Sequence, residues 1–279
     1  MLSEPAHAGP DENTYAIQSA IVIQFPVLRR GSTLHTMKSY RYFDLVMAAF
    51  VAVLLVSNIA SSAKIIDWGV SLSGLRLAFD AGTILFPISY IFGDVLTEVY
   101  GYARARRVIW TGFACSLLMS GSLFLIQRMP GEAAWLEYAG DEAFASILGA
   151  VANGGIIAAS LLAYLCGEFS NSFILAKMKV LMAGRHLWMR TIGSTLVGEG
   201  IDTVVFILIA CVFGVFPWEI VLSLIVANYL FKVGIEVCCT PMTYAVVRFL
   251  KRTENEDYFD RTTDFNPFQL HSAVSPTRR

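Results

Sequence analysis

This sequence has little charge. Charged residues make up only 15% of the 279-residue chain, whereas hydrophobic residues make up 56%. A soluble globular domain usually has about 25% charged residues, so water is not the main solvent of this protein. The net charge of −1 gives no sign of a nucleic-acid partner, because proteins that bind nucleic acids usually carry basic surfaces. The composition predicts a protein embedded in a lipid bilayer.

The sequence also lacks the patterns of a metal site or of an intramembrane enzyme. Its five cysteines have neither the spacing of a zinc site nor that of a disulfide framework, and its four histidines lie outside the long apolar runs. No HExxH and no Walker-type GxxxxGK[ST] occurs, so neither a metalloprotease centre nor an ATPase is predicted. We therefore expect no catalytic residue, no metal and no cofactor.

Six apolar runs are each long enough to cross a bilayer as a helix. A hydrocarbon core of about 30 Å requires about 20 residues at a rise of about 1.5 Å per residue. The fold class predicted is therefore an all-α bundle of six transmembrane helices within residues 41–250. Residues 1–40 are expected to be a disordered extension, and residues 251–279 a polar, disordered tail. The predicted spans are residues 43–62, 82–100, 107–128, 146–168, 191–214 and 218–248.

Lysine and arginine alternate in abundance with each predicted crossing. One side of the bundle carries fourteen of them, and the other side carries only Lys64, Arg76 and Arg128. The positive-inside rule places the richer side in the cytoplasm. We therefore expect a multi-pass protein of the cell inner membrane with both termini in the cytoplasm. The fourteen are Arg29, Arg30, Lys38, Arg41, Arg104, Arg106, Arg107, Lys177, Lys179, Arg185, Arg190, Arg248, Lys251 and Arg252.

Polar residues within the spans are the main candidates for function, because a charge near the bilayer centre costs at least about 2.5–3.5 kcal/mol. For the group near mid-depth, we favour a binding or translocation role over a structural one. For Lys232, local pairing with Glu236 four residues later is an equal alternative. The mid-depth group is Glu199, Asp202, Asn228 and Lys232, while Ser57, Asn58 and Lys64 lie toward the outer face.

A second polar group lies toward the cytoplasmic ends of the spans. Here we favour a structural role, in which carboxylates hold helix ends and loops by pairing with Arg104, Arg107 or Arg190. Pro87 predicts a kink in the second span, which either has a purely structural purpose or frees backbone carbonyls for a ligand. The second group is Asp94, Glu98, Glu168, Asn171 and Glu236.

Three segments carry a specific pattern. They are Ser57–Ala60 with Lys64, the string GTILFPISYIFGDVLTEVYGYARARRVIW from Gly82 to Trp110, and the Trp188–Arg190 loop that leads into Ser194 and Asp202. Together they resemble the queuosine precursor transporter family, also called the vitamin uptake transporter family, over most of residues 40–250. The resemblance implies a six-helix fold similar to the substrate-binding subunits of energy-coupling-factor vitamin transporters.

The resemblance also implies a small-molecule partner. This partner is a 7-deazaguanine base, chiefly 7-cyano-7-deazaguanine with 7-aminomethyl-7-deazaguanine as a second substrate, imported for queuosine modification of tRNA. Energy would then come from a separate energising module, a gradient or metabolic trapping of the base. Importers of another planar heterocycle or vitamin remain an alternative, and a noncatalytic membrane scaffold is an alternative of another class.

A guanine-like base presents two adjacent donors, the ring N–H and the exocyclic amine, which one carboxylate is able to accept together. We expect Asp202 to make this contact, with Glu199 as the competing candidate. Phe86 would supply a stacking face and Asn58 a second polar contact. The complete expected binding set is Asp202, Glu199, Asn58, Ser57, Phe86, Lys232 and Asn228, and the set expected to be structural or gating is Asp94, Glu98, Lys64, Arg190 and Glu168.

Deleting residues 1–36 is expected to leave membrane insertion and transport intact. The reason is that Lys38, Arg41 and the later basic loops retain the orientation signal. The measurement compares the membrane fraction of the truncated and full-length proteins at equal expression. A truncated protein that no longer inserts would contradict the prediction.

Overall fold

The computed structural model describes residues 39–72 and 75–269, so most of the predicted N-terminal extension lies outside the described residues. The described chain is mainly helical, and two strands follow its first helix. The elements are α1 (Phe43–Ala63), β1 (Ile65–Leu72), β2 (Leu75–Asp80), a 3-10 turn (Ala81–Ile84), α2 (Phe86–Tyr100), α3 (Tyr102–Ile126), α4 (Ala133–Tyr138), α5 (Gly140–Ala152), α6 (Gly154–Leu181), α7 (Leu187–Val212), a 3-10 turn (Trp218–Ile220) and α8 (Val221–Glu254).

Within residues 39–72 and 75–269, six helical segments are long and apolar enough to cross a membrane, which confirms the predicted number of spans and the helical fold class. Large apolar side chains such as Leu118, Val212 and Leu222 stay exposed, as expected for helices whose outer faces contact lipid. The segments are Phe43–Ala63, Ala81–Tyr100, Tyr102–Ile126, Gly140–Leu181, Leu187–Val212 and Trp218–Glu254.

The fourth span differs from the prediction because it is broken. Helix α5 ends at Ala152, and the side-chain oxygen of Asn153 accepts the backbone N–H groups of Gly155 and Ile156 at 2.9 and 3.3 Å. Such a cap satisfies donors that would otherwise be unpaired at the start of a helix. Helix α6 then continues for 28 residues to Leu181, well past the predicted end at residue 168.

The region before the second span also differs from expectation. Strands β1 and β2 form an antiparallel hairpin, with Ile65 opposite Asp80 and Leu72 opposite Leu75, which the sequence analysis did not predict. Pro87 lies in the first turn of α2, where proline removes no helical hydrogen bond. Pro87 therefore lies at the start of α2, directly after a 3-10 turn, and not in the helix interior where the kink was expected.

Helix α2 is the central and most buried of the spans. It packs against α1, α3, α6 and α8. Its apolar side chains Val95 and Val99 join a buried cluster that includes Phe50 from α1 and Val108 from α3. Because α2 is surrounded by protein, any charged group on it has to find its partners on neighbouring helices.

Glu98 on α2 meets that requirement with three cations. Arg190 Nη1 lies 2.6 Å from Glu98 Oε2, as the sequence analysis predicted, and Lys251 Nζ lies 2.6 Å from Oε1. Lys179 Nζ lies 3.6 Å from the same carboxylate. Glu98, Lys179, Arg190 and Lys251 meet at one end of the bundle, which we call the basic end.

Asp94 differs from the prediction, because it accepts a hydrogen bond from Asn171 at 2.8 Å rather than pairing with an arginine.

The tail beyond α8 packs onto the basic end. Asp257 lies 2.6 Å from Lys179 Nζ and 2.8 Å from Lys251 Nζ. Burial alone would raise the pKa of Asp257, but its ion pairs with the two lysines lower the pKa below its ordinary value. Asp260 accepts the backbone N–H of Tyr102 at 3.1 Å, and the Trp110 indole donates to the Pro267 carbonyl at 2.8 Å. The expected disorder of the tail is therefore wrong for residues 251–269.

The last helix also caps the first. Glu254, at the end of α8, accepts the backbone N–H of Arg41 at 3.0 Å and that of Tyr42 at 2.6 Å. The N–H groups at the start of a helix have no partner within that helix, and carboxylates are well suited to accept them. The start of α1 is thus fixed by a residue more than 200 positions later in the chain.

Replacing Glu98 with Gln is expected to lower the amount of folded protein and its melting temperature. The change leaves the buried Arg190 without its anion and removes one of the two acids near the buried Lys179. Breaking a buried ion pair costs roughly 3–5 kcal/mol. Size-exclusion chromatography and thermal unfolding of the detergent-solubilised protein measure the effect. The exposed Glu137→Gln change serves as the matched control. A Glu98→Gln protein with the wild-type melting temperature would show that the cluster does not stabilise the fold.

Candidate functional site

A cavity of about 520 Å³ lies between the spans, and every span contributes to its wall. Its lining is mostly apolar, with polar side chains at separate points. These polar side chains are Asn58, Ser61, Ser62, Ser89, Tyr90, Ser116, Ser120, Ser160, Tyr164, Glu168, Asp202, Thr203, Asn228 and Lys232. A mostly apolar pocket with a few converging polar groups is the usual form of a small-molecule site.

The cavity occupies the half of the bundle that is remote from the basic end. On α1 it is lined by residues 54–62, which form the C-terminal half of that helix, and on α8 by residues 224–232, near its start. Val215 and Phe216, in the loop between α7 and α8, also contribute. The basic end is held together by Glu98, so the two halves of the bundle have different polar chemistry.

Lys232 is the cation of the cavity. Its ammonium group lies 2.5 Å from Asp202 Oδ2 and 3.1 Å from Glu199 Oε2, both on α7. The alternative of pairing with Glu236 on its own helix is not what the structure shows. One ammonium thus neutralises part of the charge of two carboxylates, which offsets the cost of holding these groups away from water.

Aromatic and amide groups lie near this ion pair. The Lys232 ammonium is 5.6 Å from the centre of the Phe86 ring, within the range of a cation–π interaction. The amides of Asn58 and Asn228 donate to backbone carbonyls of their own helices, Leu54 at 2.8 Å and Leu224 at 2.9 Å. The oxygen of Asn58 also accepts a hydrogen bond from Ser160 at 3.2 Å. Phe86, Asn58, Asn228, Lys232 and Asp202 therefore share one cavity.

Glu168 also lines this cavity, although the sequence analysis had placed it with the structural residues. Its side chain is fully buried, and neither carboxylate oxygen has a hydrogen-bond partner among the described residues. The hydroxyl of Tyr90, another lining residue, is likewise unpartnered within the described part of the chain. Buried polar groups in native proteins usually have partners, so this part of the cavity has unused hydrogen-bonding capacity.

The structure leaves several predicted residues outside the cavity wall. Ser57 is buried and donates to the Val53 carbonyl at 2.7 Å, and Lys64 is exposed just after α1. Asp94, Glu98 and Arg190 do not line the cavity. Glu199 does not line the cavity, but it forms an ion pair with Lys232, which does. Among residues 39–72 and 75–269, no group of three metal-ligating side chains could hold a metal ion.

Sequence reasoning missed the uncharged polar residues of the wall, among them Tyr90, Ser116, Ser120 and Thr203. A signal for two of them was present, because Ser116 and Ser120 are four residues apart and so share one helical face within an apolar span. A hydroxyl group costs less to bury in a span than a charged group does. A hydroxyl group in a span is therefore a weaker sequence signal of function than a charge is.

The family model described as "Putative vitamin uptake transporter" matches residues 80–246 of this chain. A protein of Bacillus subtilis (strain 168) named "Probable queuosine precursor transporter" is 26% identical over 186 residues, which cover 66% of this chain and 78% of that protein. A protein of Escherichia coli (strain K12) named "Queuosine precursor transporter" is 25% identical over 191 residues, covering 68% and 80% respectively. No solved structure matches the chain.

Replacing Lys232 with Met is expected to destabilise the bundle, because Glu199 and Asp202 lose their shared cation. Removing one partner of a buried ion pair costs roughly 3–5 kcal/mol. Thermal unfolding in detergent measures the change. The triple variant Lys232→Met, Asp202→Asn, Glu199→Gln is the control, and it should recover most of the lost melting temperature. A triple variant as unstable as the single one would show that the loss arises from packing and not from charge.

Proposed function

Because this chain belongs to the vitamin uptake transporter family, we propose that it imports queuosine precursors across the cell inner membrane. The proposed substrates are 7-cyano-7-deazaguanine and 7-aminomethyl-7-deazaguanine. The names of the two bacterial relatives support this substrate class. The role is that of a multi-pass membrane transporter and not of an enzyme.

The observation that carries the proposal is the mostly apolar cavity with its Lys232–Asp202 ion pair. A deazaguanine base is planar, with one polar edge that carries a carbonyl acceptor beside two N–H donors. Phe86 would supply an aromatic face for the ring, and the Lys232 ammonium would donate to the carbonyl. Asp202 and Asn58 line the same space and supply acceptors for N–H groups. Ser57 and Glu199 support this set from behind the wall.

We place the basic end in the cytoplasm, in accordance with the positive-inside rule. The cavity then lies in the outer half of the bundle, and substrate would enter it from outside the cell. Release into the cell would require the basic end to open, so Glu98 and Arg190 serve as structural and gating residues in this proposal. Asp94 and Lys64 also stay in the predicted structural or gating set, although Lys64 follows the C-terminal end of α1, remote from the basic end. The division into an N-terminal extension, a transporter domain and a tail stays a prediction.

The description of the matched family supports a second candidate, the import of another planar heterocycle or vitamin. The same cavity would serve it, because the apolar wall is not specific for one ring system. Binding of a panel of planar bases and vitamins to the purified protein distinguishes the candidates. A folded protein that binds none of them would favour a noncatalytic scaffold instead. The likeness to energy-coupling-factor subunits and the use of a separate energising module stay predictions.

The proposed function is tested in a bacterial strain that cannot synthesise queuosine precursors and lacks its own importer. Supplied with external 7-cyano-7-deazaguanine at low concentration, cells with this gene are expected to regain queuosine in their tRNA, and cells with an empty vector are not. Mass spectrometry of tRNA nucleosides measures the difference. A strain that makes the base internally is the control for the modifying enzymes. Equal queuosine content with and without the gene would contradict the proposal.

A further inference from the structure

The carboxylate of Glu168 is the unpaired acid of the cavity. It is fully buried, and both of its oxygens lack a hydrogen-bond partner among the described residues. An ionised carboxylate that is buried without a partner is strongly unfavourable, and hydrogen-bond donors of a ligand would reduce this cost. The site therefore holds an acceptor of two hydrogen bonds in a position where the described protein supplies no donor.

The other carboxylate that lines the cavity, Asp202, already has an ion-pair partner. Asp202 Oδ2 lies 2.5 Å from the Lys232 ammonium, which also holds Glu199 at 3.1 Å. A ligand that donated hydrogen bonds to both oxygens of Asp202 would have to displace the Lys232 ammonium. The ammonium would then keep only its ion pair with Glu199. Glu168 requires no such exchange.

The carboxylate of Glu168 lies close to the central helix α2. A Cβ atom added to Gly93 on α2 would lie 2.8 Å from Glu168 Oε2, so a glycine at this position gives the carboxylate room. A Cβ atom added to Gly167 would lie 2.6 Å from the Tyr90 hydroxyl and 2.8 Å from Asp202 Cβ. The unpartnered hydroxyl of Tyr90 and the side chain of Asp202 are thus immediate neighbours of the helix turn that presents Glu168.

We infer that Glu168 is the residue that determines specificity for the polar edge of the ligand, accepting two adjacent N–H donors in one bidentate contact. The matching chemistry is a planar 2-amino-pyrimidinone edge, in which a ring N–H lies beside an exocyclic amine and next to a carbonyl. Glu168 takes the two donors, and Lys232 donates to the carbonyl while it stays paired with Asp202. This inference rests on the proposed function, which supplies the ligand class, and it assigns to Glu168 the role expected of Asp202 from the sequence.

The test compares two ligands on the purified, folded protein. These are 7-cyano-7-deazaguanine and its analogue without the exocyclic amine. The wild type is expected to prefer the first on the order of 10- to 100-fold, because hydrogen bonds to charged groups are strong and an unfilled carboxylate is penalised. In Glu168→Gln protein this preference should fall close to one, because the amide oxygen accepts only one donor and the amide nitrogen faces the other. Isothermal titration or scintillation proximity binding measures the ratio.

Glu236→Gln is the matched control, since Glu236 is also a buried glutamate but does not line the cavity. It should keep the wild-type ratio. Where Glu168→Gln does not fold, Gly93→Ala is the second variant, because it keeps the carboxylate and crowds it. This change should weaken binding of the amine-bearing base several-fold more than binding of its analogue.

The possible results separate the two proposals. A wild type that binds neither ligand contradicts the proposed function. A wild type that discriminates, together with a Glu168→Gln or Gly93→Ala protein that discriminates equally well, overturns the role of Glu168 alone. Loss of the preference in Asp202→Asn protein, with its retention in Glu168→Gln protein, would return the role to Asp202.

Discussion

A charge held inside a membrane bundle has to find its counter-charge within the protein, because lipid supplies none. Glu98 on the central helix α2 is fully buried and meets Arg190 from α7, Lys251 from α8 and Lys179 from α6. One carboxylate thereby fixes the ends of three other spans. The tail depends on the same cluster, because Asp257 binds the two lysines.

In the opposite half of the bundle, the buried charges are less completely paired. Lys232 is shared by two acids of α7, and Glu168 on α6 has no partner among the described residues. A bundle that only had to be stable would gain nothing from a buried carboxylate facing a cavity. In the proposed function, this contrast with the saturated cluster at Glu98 supports binding in this half and closure at the basic end.

The number of spans was predictable because a bilayer requires an apolar run of similar length at each crossing. The break at Asn153 was not, since one asparagine among small apolar residues is equally compatible with a continuous helix. The true length of α6 also changes the interpretation of Glu168. With a predicted end at residue 168 it appeared to lie at the membrane boundary, whereas in Gly154–Leu181 it lies near the middle of the helix.

Long-range partners were the other limit of sequence reasoning. Spacing along a helix suggested Glu236 for Lys232, yet the observed partners are 30 and 33 positions away on α7. Likewise, Arg190 was a predicted partner of Glu98, but Lys179 and Lys251 were not, and polarity alone suggested a disordered tail. Only the three-dimensional arrangement of the helices shows which opposite charges meet, and a hydropathy pattern contains no information about that arrangement.

The cap that Glu254 provides for α1 has a consequence for the order of biosynthesis. The first helix emerges from the ribosome early, but the carboxylate that accepts the N–H groups of Arg41 and Tyr42 is made near the end of the chain. Lys251, which neutralises Glu98, belongs to the same late turn. A nascent chain therefore has all its apolar segments available for insertion while one end of the bundle is still open. Translation of the final helical turn and the tail supplies the groups that close it.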